Sequence, residues 1–89
     1  MNTGPRTTRR LADQWGQLVR DRRCDVLRFS QDQLAEVSGV TQQTISNIEA
    51  GKVLPRPETQ YALARAMGTT VTDLFVWPAM ADVVIEDAA

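Results

Sequence analysis

Eighty-nine residues support one small domain and leave little room for a second. With no histidine and one cysteine, Cys24, the chain offers neither an intramolecular disulfide nor the ligand set of a zinc site or a Cys–His nucleophile. The net charge of −1 argues against a nucleic-acid partner if charge is averaged over the chain, but the charge is polarised. Residues 1–29 hold seven arginines against three aspartates, a balance of +4; residues 30–56 balance to −1 and residues 57–89 to −4. A chain so divided can present a basic face while its total stays near zero, although solvated surface arginines give the same count. Apolar runs are only a few residues long, and the N-terminus lacks a signal-peptide-like stretch, so a cytoplasmic location without membrane attachment is the expectation.

In chain order, residues 1–8 read as a flexible, basic-leaning arm of small and turn-forming residues. A first helix is predicted from about residue 10 to 24, because Leu11, Trp15, Leu18 and Val19 recur on one face of a 3.6-residue period. Val26, Leu27 and Phe29 follow as a hydrophobic connector, with Cys24 expected as a packing residue. The second helix opens after Ser30. Ser30 and Gln33 fit a capping box, and Phe29 and Leu34 are spaced for a hydrophobic staple. Gly39 ends that helix, and Thr41 caps a third whose Ile45 and Ile48 face inward and which Gly51 closes. Pro57 and Glu58 suit the first turn of a fourth helix, in which Tyr61, Ala62, Leu63, Ala66 and Met67 supply the apolar face before Gly68. Thr70 with Asp73 suggests the cap of a short fifth helix through Leu74 and Phe75. Trp15 and Tyr61 read as core, and Trp77 as a domain-edge residue that covers the core or joins a partner surface. Residues 78–89 form an acidic and apolar tail.

The pattern expected is all-α: a five-helix, repressor-like domain over residues 9–77, with helices 2 and 3 forming a helix-turn-helix. Gln31, Ala35, Gly39, Val40, Ile45 and Ile48 match the 20-residue form of that motif. Ala35 is small where two helices cross steeply, and Gly39 allows the chain to turn within two residues. With the isoleucines inward, Gln42, Gln43, Ser46 and Asn47 share the opposite face, which carries neither charge nor a large apolar group. Such a face is suited to hydrogen bonds. A glutamine at the start of a recognition helix can donate and accept at once, matching adenine N6 and N7 in the major groove.

The segments GVTQQTISNIEAGKVLPRPET and LARAMGTTVTDLF extend the match beyond the motif, and the chain resembles the Cro/CI-type (XRE) family of phage and bacterial repressors over roughly residues 11–76. The resemblance implies base contacts from Gln42, Gln43 and Asn47, with Ser46 a weaker candidate. It implies backbone contacts from Gln31, Thr41, Thr44 and Lys52. It also implies a structural ion pair between an arginine late in helix 1 and Glu49. Counting forward from Val19 favours Arg23 over Arg22, and this chain carries one extra residue between that helix and Ser30. Arg6, Arg9 and Arg10 of the arm could follow the DNA backbone or enter a minor groove, or could make no contact.

The expected function is a sequence-specific regulator of transcription, Cro-like or controller-like, binding a palindromic operator as a homodimer. The expectation includes no cofactor, no metal and no enzymatic chemistry, since no acid/base pair or phosphate loop emerges. The same sequence is compatible with two alternatives. One is an antitoxin-type module that binds a protein partner through the C-terminal tail; the other is a recombination directionality or DNA-architectural factor.

Overall fold

The computed structural model describes residues 6–77, with side chains from residue 10 onward. Among these residues the chain forms helices α1 (Arg6–Asp21), α2 (Gln31–Ser38), α3 (Gln42–Glu49), α4 (Pro57–Ala66) and α5 (Val71–Leu74), with a π-turn (Arg22–Val26) continuing α1 and no strand. Every predicted helix is present. The termini of α2, α3 and α5 are set by side chains: the Ser30 hydroxyl accepts from Gln33 N at 3.0 Å while Gln33 Oε1 accepts from Ser30 N at 2.7 Å, closing the capping box. Thr41 accepts from Thr44 N at 3.2 Å and Thr70 from Asp73 N at 3.1 Å. Pro57 stands in the first turn of α4, where its missing N–H costs nothing.

The core lies where α1 packs on α3 and α5, and α2 on α3 and α4. Leu11, Trp15 and Val19 from α1 meet Leu34, Ile45 and Ile48 of the helix-turn-helix, and Leu63, Met67, Leu74 and Phe75 close the far side. Six of these side chains are wholly or almost wholly excluded from water, a burial of roughly 1.5–3 kcal/mol for each. Phe29 packs against the same cluster as Leu34, as the staple requires. Trp15 donates its indole N–H to Val76 O at 2.9 Å and meets the rings of Phe75 and Trp77 edge-on at 5.2 and 5.4 Å. Trp77 itself is exposed, so it edges the core rather than entering it.

Four local expectations are corrected. Helix α1 starts at Arg6, so residues 6–8, expected in the arm, are helical. Arginine is a good helix former, and a helix nucleated on the buried Leu11–Trp15 face propagates at one backbone hydrogen bond per residue. The regular α1 ends at Asp21 rather than near residue 24, and the chain widens into a π-turn. Leu27 N reaches back five residues to Arg22 O at 3.0 Å, and Phe29 N reaches Arg23 O at 2.8 Å. That wide turn carries the chain toward Ser30 without unwinding the buried face. It also turns Cys24 and Val26 into solvent, so Cys24 is no packing residue and only Leu27 and Phe29 of the connector pack inward. Tyr61, expected in the core, is 58 % exposed. The buried face of α4 is Leu63, Ala64 and Met67, and a residue two positions before Leu63 points about 200° away from it. The tail, residues 78–89, lies outside the described residues.

Candidate nucleic-acid interface

Two helices of eight residues each, joined by Gly39, Val40 and Thr41, form the turn that presents α3. Gly39 has φ 79°, a left-handed conformation that a Cβ disfavours, and its N–H closes on Ala35 O at 2.9 Å. Ile45 and Ile48 are fully buried and lock one side of α3 to the core. The opposite side is therefore fixed: Gln42 and Gln43 are exposed in the first turn, with Ser46 and Asn47 half-buried in the next. No charged residue occurs between Glu36 and Glu49.

The first amide of this face, Gln42, is tied to the interior by a chain of hydrogen bonds. Arg23 is buried and makes a two-pronged pair with Glu49, Nε to Oε2 at 2.6 Å and Nη2 to Oε1 at 2.8 Å. Its remaining amine, Nη1, donates to Phe29 O at 2.8 Å, tying down the loop ahead of α2. The hydrogen bond and the charge of Glu49 raise the Arg23 pKa above its ordinary value against the opposing effect of burial, so the guanidinium keeps its charge. Glu49 Oε1 also accepts from Gln31 Nε2 at 3.0 Å. A carboxylate can only accept, so this contact orients the Gln31 amide with its oxygen outward, where it receives Gln42 Nε2 at 3.3 Å. A continuous chain thus runs from Arg23 through Glu49 and Gln31 to Gln42, the first residue of α3. Motif spacing does not disclose the middle link, because Gln31 and Glu49 lie 18 positions apart.

Gln43 donates to Asn47 Oδ1 at 3.2 Å, one turn along α3. Gln43 keeps its carbonyl oxygen and Asn47 its amine for another partner. Thr41 uses its hydroxyl twice, accepting from Thr44 N and donating to Thr44 Oγ1 at 2.9 Å. The Thr44 hydroxyl hydrogen is left unassigned by these contacts. Lys52 is exposed just beyond α3, with its backbone N–H held by Asn47 O at 2.9 Å. Arg6 and Arg9 belong to α1, but their side chains lie outside the described residues; Arg10 is exposed on the same helix. Seven of the candidate contact residues, Gln31, Thr41, Gln42, Gln43, Thr44, Ser46 and Asn47, are carried by the helix-turn-helix itself.

The HTH_3 helix-turn-helix family model matches residues 20–74, from the end of α1 to the end of α5. The chain belongs to this family. An uncharacterised HTH-type transcriptional regulator of Methanothermobacter thermautotrophicus is 38% identical over 60 residues, which span 66% of this chain and 86% of that protein. Among solved structures, the restriction-modification controller protein C.AhdI of Aeromonas hydrophila superposes with a TM-score of 0.67 at 25% identity, covering 71% of this chain and 94% of that one. The clp gene regulator ClgR of Corynebacterium glutamicum gives the same TM-score, 0.67, at 27% identity, covering 74% of this chain and 69% of ClgR. At the level of the family, this helix-turn-helix chain is a transcription regulator of the DNA-binding kind. Among the described residues no helix is long and apolar enough to cross a membrane, and no group of three or more acidic or cysteine side chains is placed to hold a metal ion.

Proposed function

We propose that the chain regulates transcription by reading a specific double-stranded DNA site in the major groove with α3, in the manner of a Cro-like or controller-like repressor. The observation that carries this reading is the row of uncharged amides on α3, of which the first, Gln42, is tied to the core through Gln31 and the Arg23–Glu49 pair. Base readout needs donors and acceptors at set positions and enough freedom on each to bond a base edge. Gln42, Gln43 and Asn47 meet both needs, with Ser46 beside them. The similarity to a controller protein that this chain covers nearly end to end supports the same reading.

Gln31, Thr44 and Lys52 position the domain on the phosphates, and Thr41 acts chiefly as the helix cap that aims Thr44. Arg6, Arg9 and Arg10 at the start of α1 are further cations for the DNA backbone. Since one such domain reads only a few base pairs, a homodimer on a palindromic operator would supply two half-sites about one helical turn apart. Selection of bound sequences from a random DNA pool tests the whole reading: an enriched palindrome is the expected result, and a pool that stays random would reject it.

Two substitutions separate readout from positioning. Gln43→Ala should weaken binding to the selected site by ~1–3 kcal/mol while leaving binding to random DNA almost unchanged. Equal losses on both DNAs, measured by fluorescence anisotropy, would remove Gln43 from base readout. Lys52→Ala should instead weaken both alike and reduce the slope of log K against log salt by about one. An unaltered slope would show that Lys52 meets no phosphate.

A further inference from the structure

The helix-turn-helix has to approach a polyanion without a cation of its own. Between Arg28 and Lys52 the sequence holds no lysine or arginine, while Asp32, Glu36 and Glu49 all lie in that interval. Glu49 is neutralised by Arg23, but Asp32 and Glu36 are exposed on α2. Phosphate charge must therefore be met from the flanks of the motif. Lys52 stands at one flank, after α3. Arg28 stands at the other, and its setting is unusual.

Arg28 follows the π-turn and precedes the cap Ser30 by two residues. Its φ is 58°, which makes it the non-glycine residue with positive φ among those described. The Phe29 N–H closes over it onto Arg23 O at 2.8 Å, a helix ending in which the left-handed position is the one that glycine fills without steric cost. The Arg28 side chain is exposed, and no hydrogen bond or ion pair joins it to another described residue. The fold thus holds an arginine where the backbone favours glycine, and none of the described residues engages its guanidinium. Meanwhile the segment is anchored: Arg23 Nη1 grips the next carbonyl, Phe29 O, at 2.8 Å. At most ~10 Å of chain separates the Cα atoms of Arg28 and Gln31, whose amide is linked to α3.

We propose that Arg28 is a phosphate-binding residue that, with Lys52, brackets the reading helix between two cations, so that both ends of the motif are clamped to the DNA backbone. The inference rests on the DNA-binding function proposed above and extends it to a residue that the helix-turn-helix pattern does not include. Arg28 contributes affinity without sequence preference, because its partner is a phosphodiester and not a base.

The test uses the full chain with Arg28→Gly and Arg28→Lys, titrated at several salt concentrations against a DNA duplex that the wild type binds and against a random duplex. Arg28→Gly should bind both duplexes several-fold more weakly, with the salt slope reduced by about 0.9. Its thermal midpoint should equal or exceed that of the wild type, since glycine suits the left-handed position. Arg28→Lys should keep the wild-type slope, and Arg28→Gly combined with Lys52→Ala should lose about twice as much slope as either alone. An Arg28→Gly protein that melts normally and keeps the full slope would overturn the proposal while leaving DNA binding intact. A wild type that binds no duplex would overturn the function reading, and the role of Arg28 with it.

Discussion

Replacing Glu49 with glutamine should remove ~3–5 kcal/mol of folding stability, a large share of what so small a domain possesses. The two side chains are isosteric, so the loss isolates charge and hydrogen bonding. Glu49 receives three donors: Arg23 Nε on Oε2, and Arg23 Nη2 and Gln31 Nε2 on Oε1. Glutamine offers one oxygen and turns an amine toward at least one of those donors. It also leaves the guanidinium of Arg23, a side chain only 11% exposed, without its counter-charge. Urea denaturation should show the midpoint falling with the slope unchanged. A loss below about 1 kcal/mol would mean that the pair contributes no more than an exposed salt bridge. Glu36→Gln on the solvent side of α2 is the matched control and should change little. A functional consequence follows, since releasing Gln31 also frees Gln42; site-specific DNA binding should decline further than the folded fraction alone explains.

The second large effect is expected at Gly16. A Cβ there would collide with the Ile48 carbonyl oxygen and stand 3.0 Å from the Glu49 carbonyl oxygen, both backbone atoms at the end of α3. Backbone cannot rotate away as a side-chain tip can, so α1 and α3 must move apart. Alanine at a helical position ordinarily gains about 1 kcal/mol over glycine. Gly16→Ala should nevertheless lower stability by about 3 kcal/mol, at the upper end of overpacking costs, and should loosen the Arg23–Glu49 pair between the same helices. A rise in thermal midpoint would show that the close approach is relieved cheaply. Gly39 makes a useful contrast, because a Cβ there meets nothing within 4 Å and only the left-handed backbone resists it. Alanine at Gly39 should cost less than alanine at Gly16.

These two glycines show which part of the architecture is written locally. Gly39, Ser30, Thr41 and Thr70 act through hydrogen bonds and torsions within a few residues of themselves, and a capping box or a left-handed stop can be recognised from spacing alone. The same holds for Ile45 and Ile48, whose interval places Gln42, Gln43, Ser46 and Asn47 on the far side of α3. Tyr61 marks the limit of that logic. It sits at helical core spacing in a helix with more than one apolar face, and only the contact of α4 with α2 and α5 selects Leu63, Ala64 and Met67. Cys24 and Val26 meet a related limit: a π-turn shifts every later residue around the helix, and neither cap nor spacing signals that shift.

The sequence by itself therefore determined the helices, the capped starts of α2, α3 and α5, the turn and the uncharged face of α3, because each depends on interactions between near neighbours. The tertiary structure decided which α4 face is buried, where α1 begins and gives way to the π-turn, why Gly16 has no side chain, and how Gln31 links Glu49 to Gln42. These depend on groups brought together from distant parts of the chain, at distances that sequence separation does not encode.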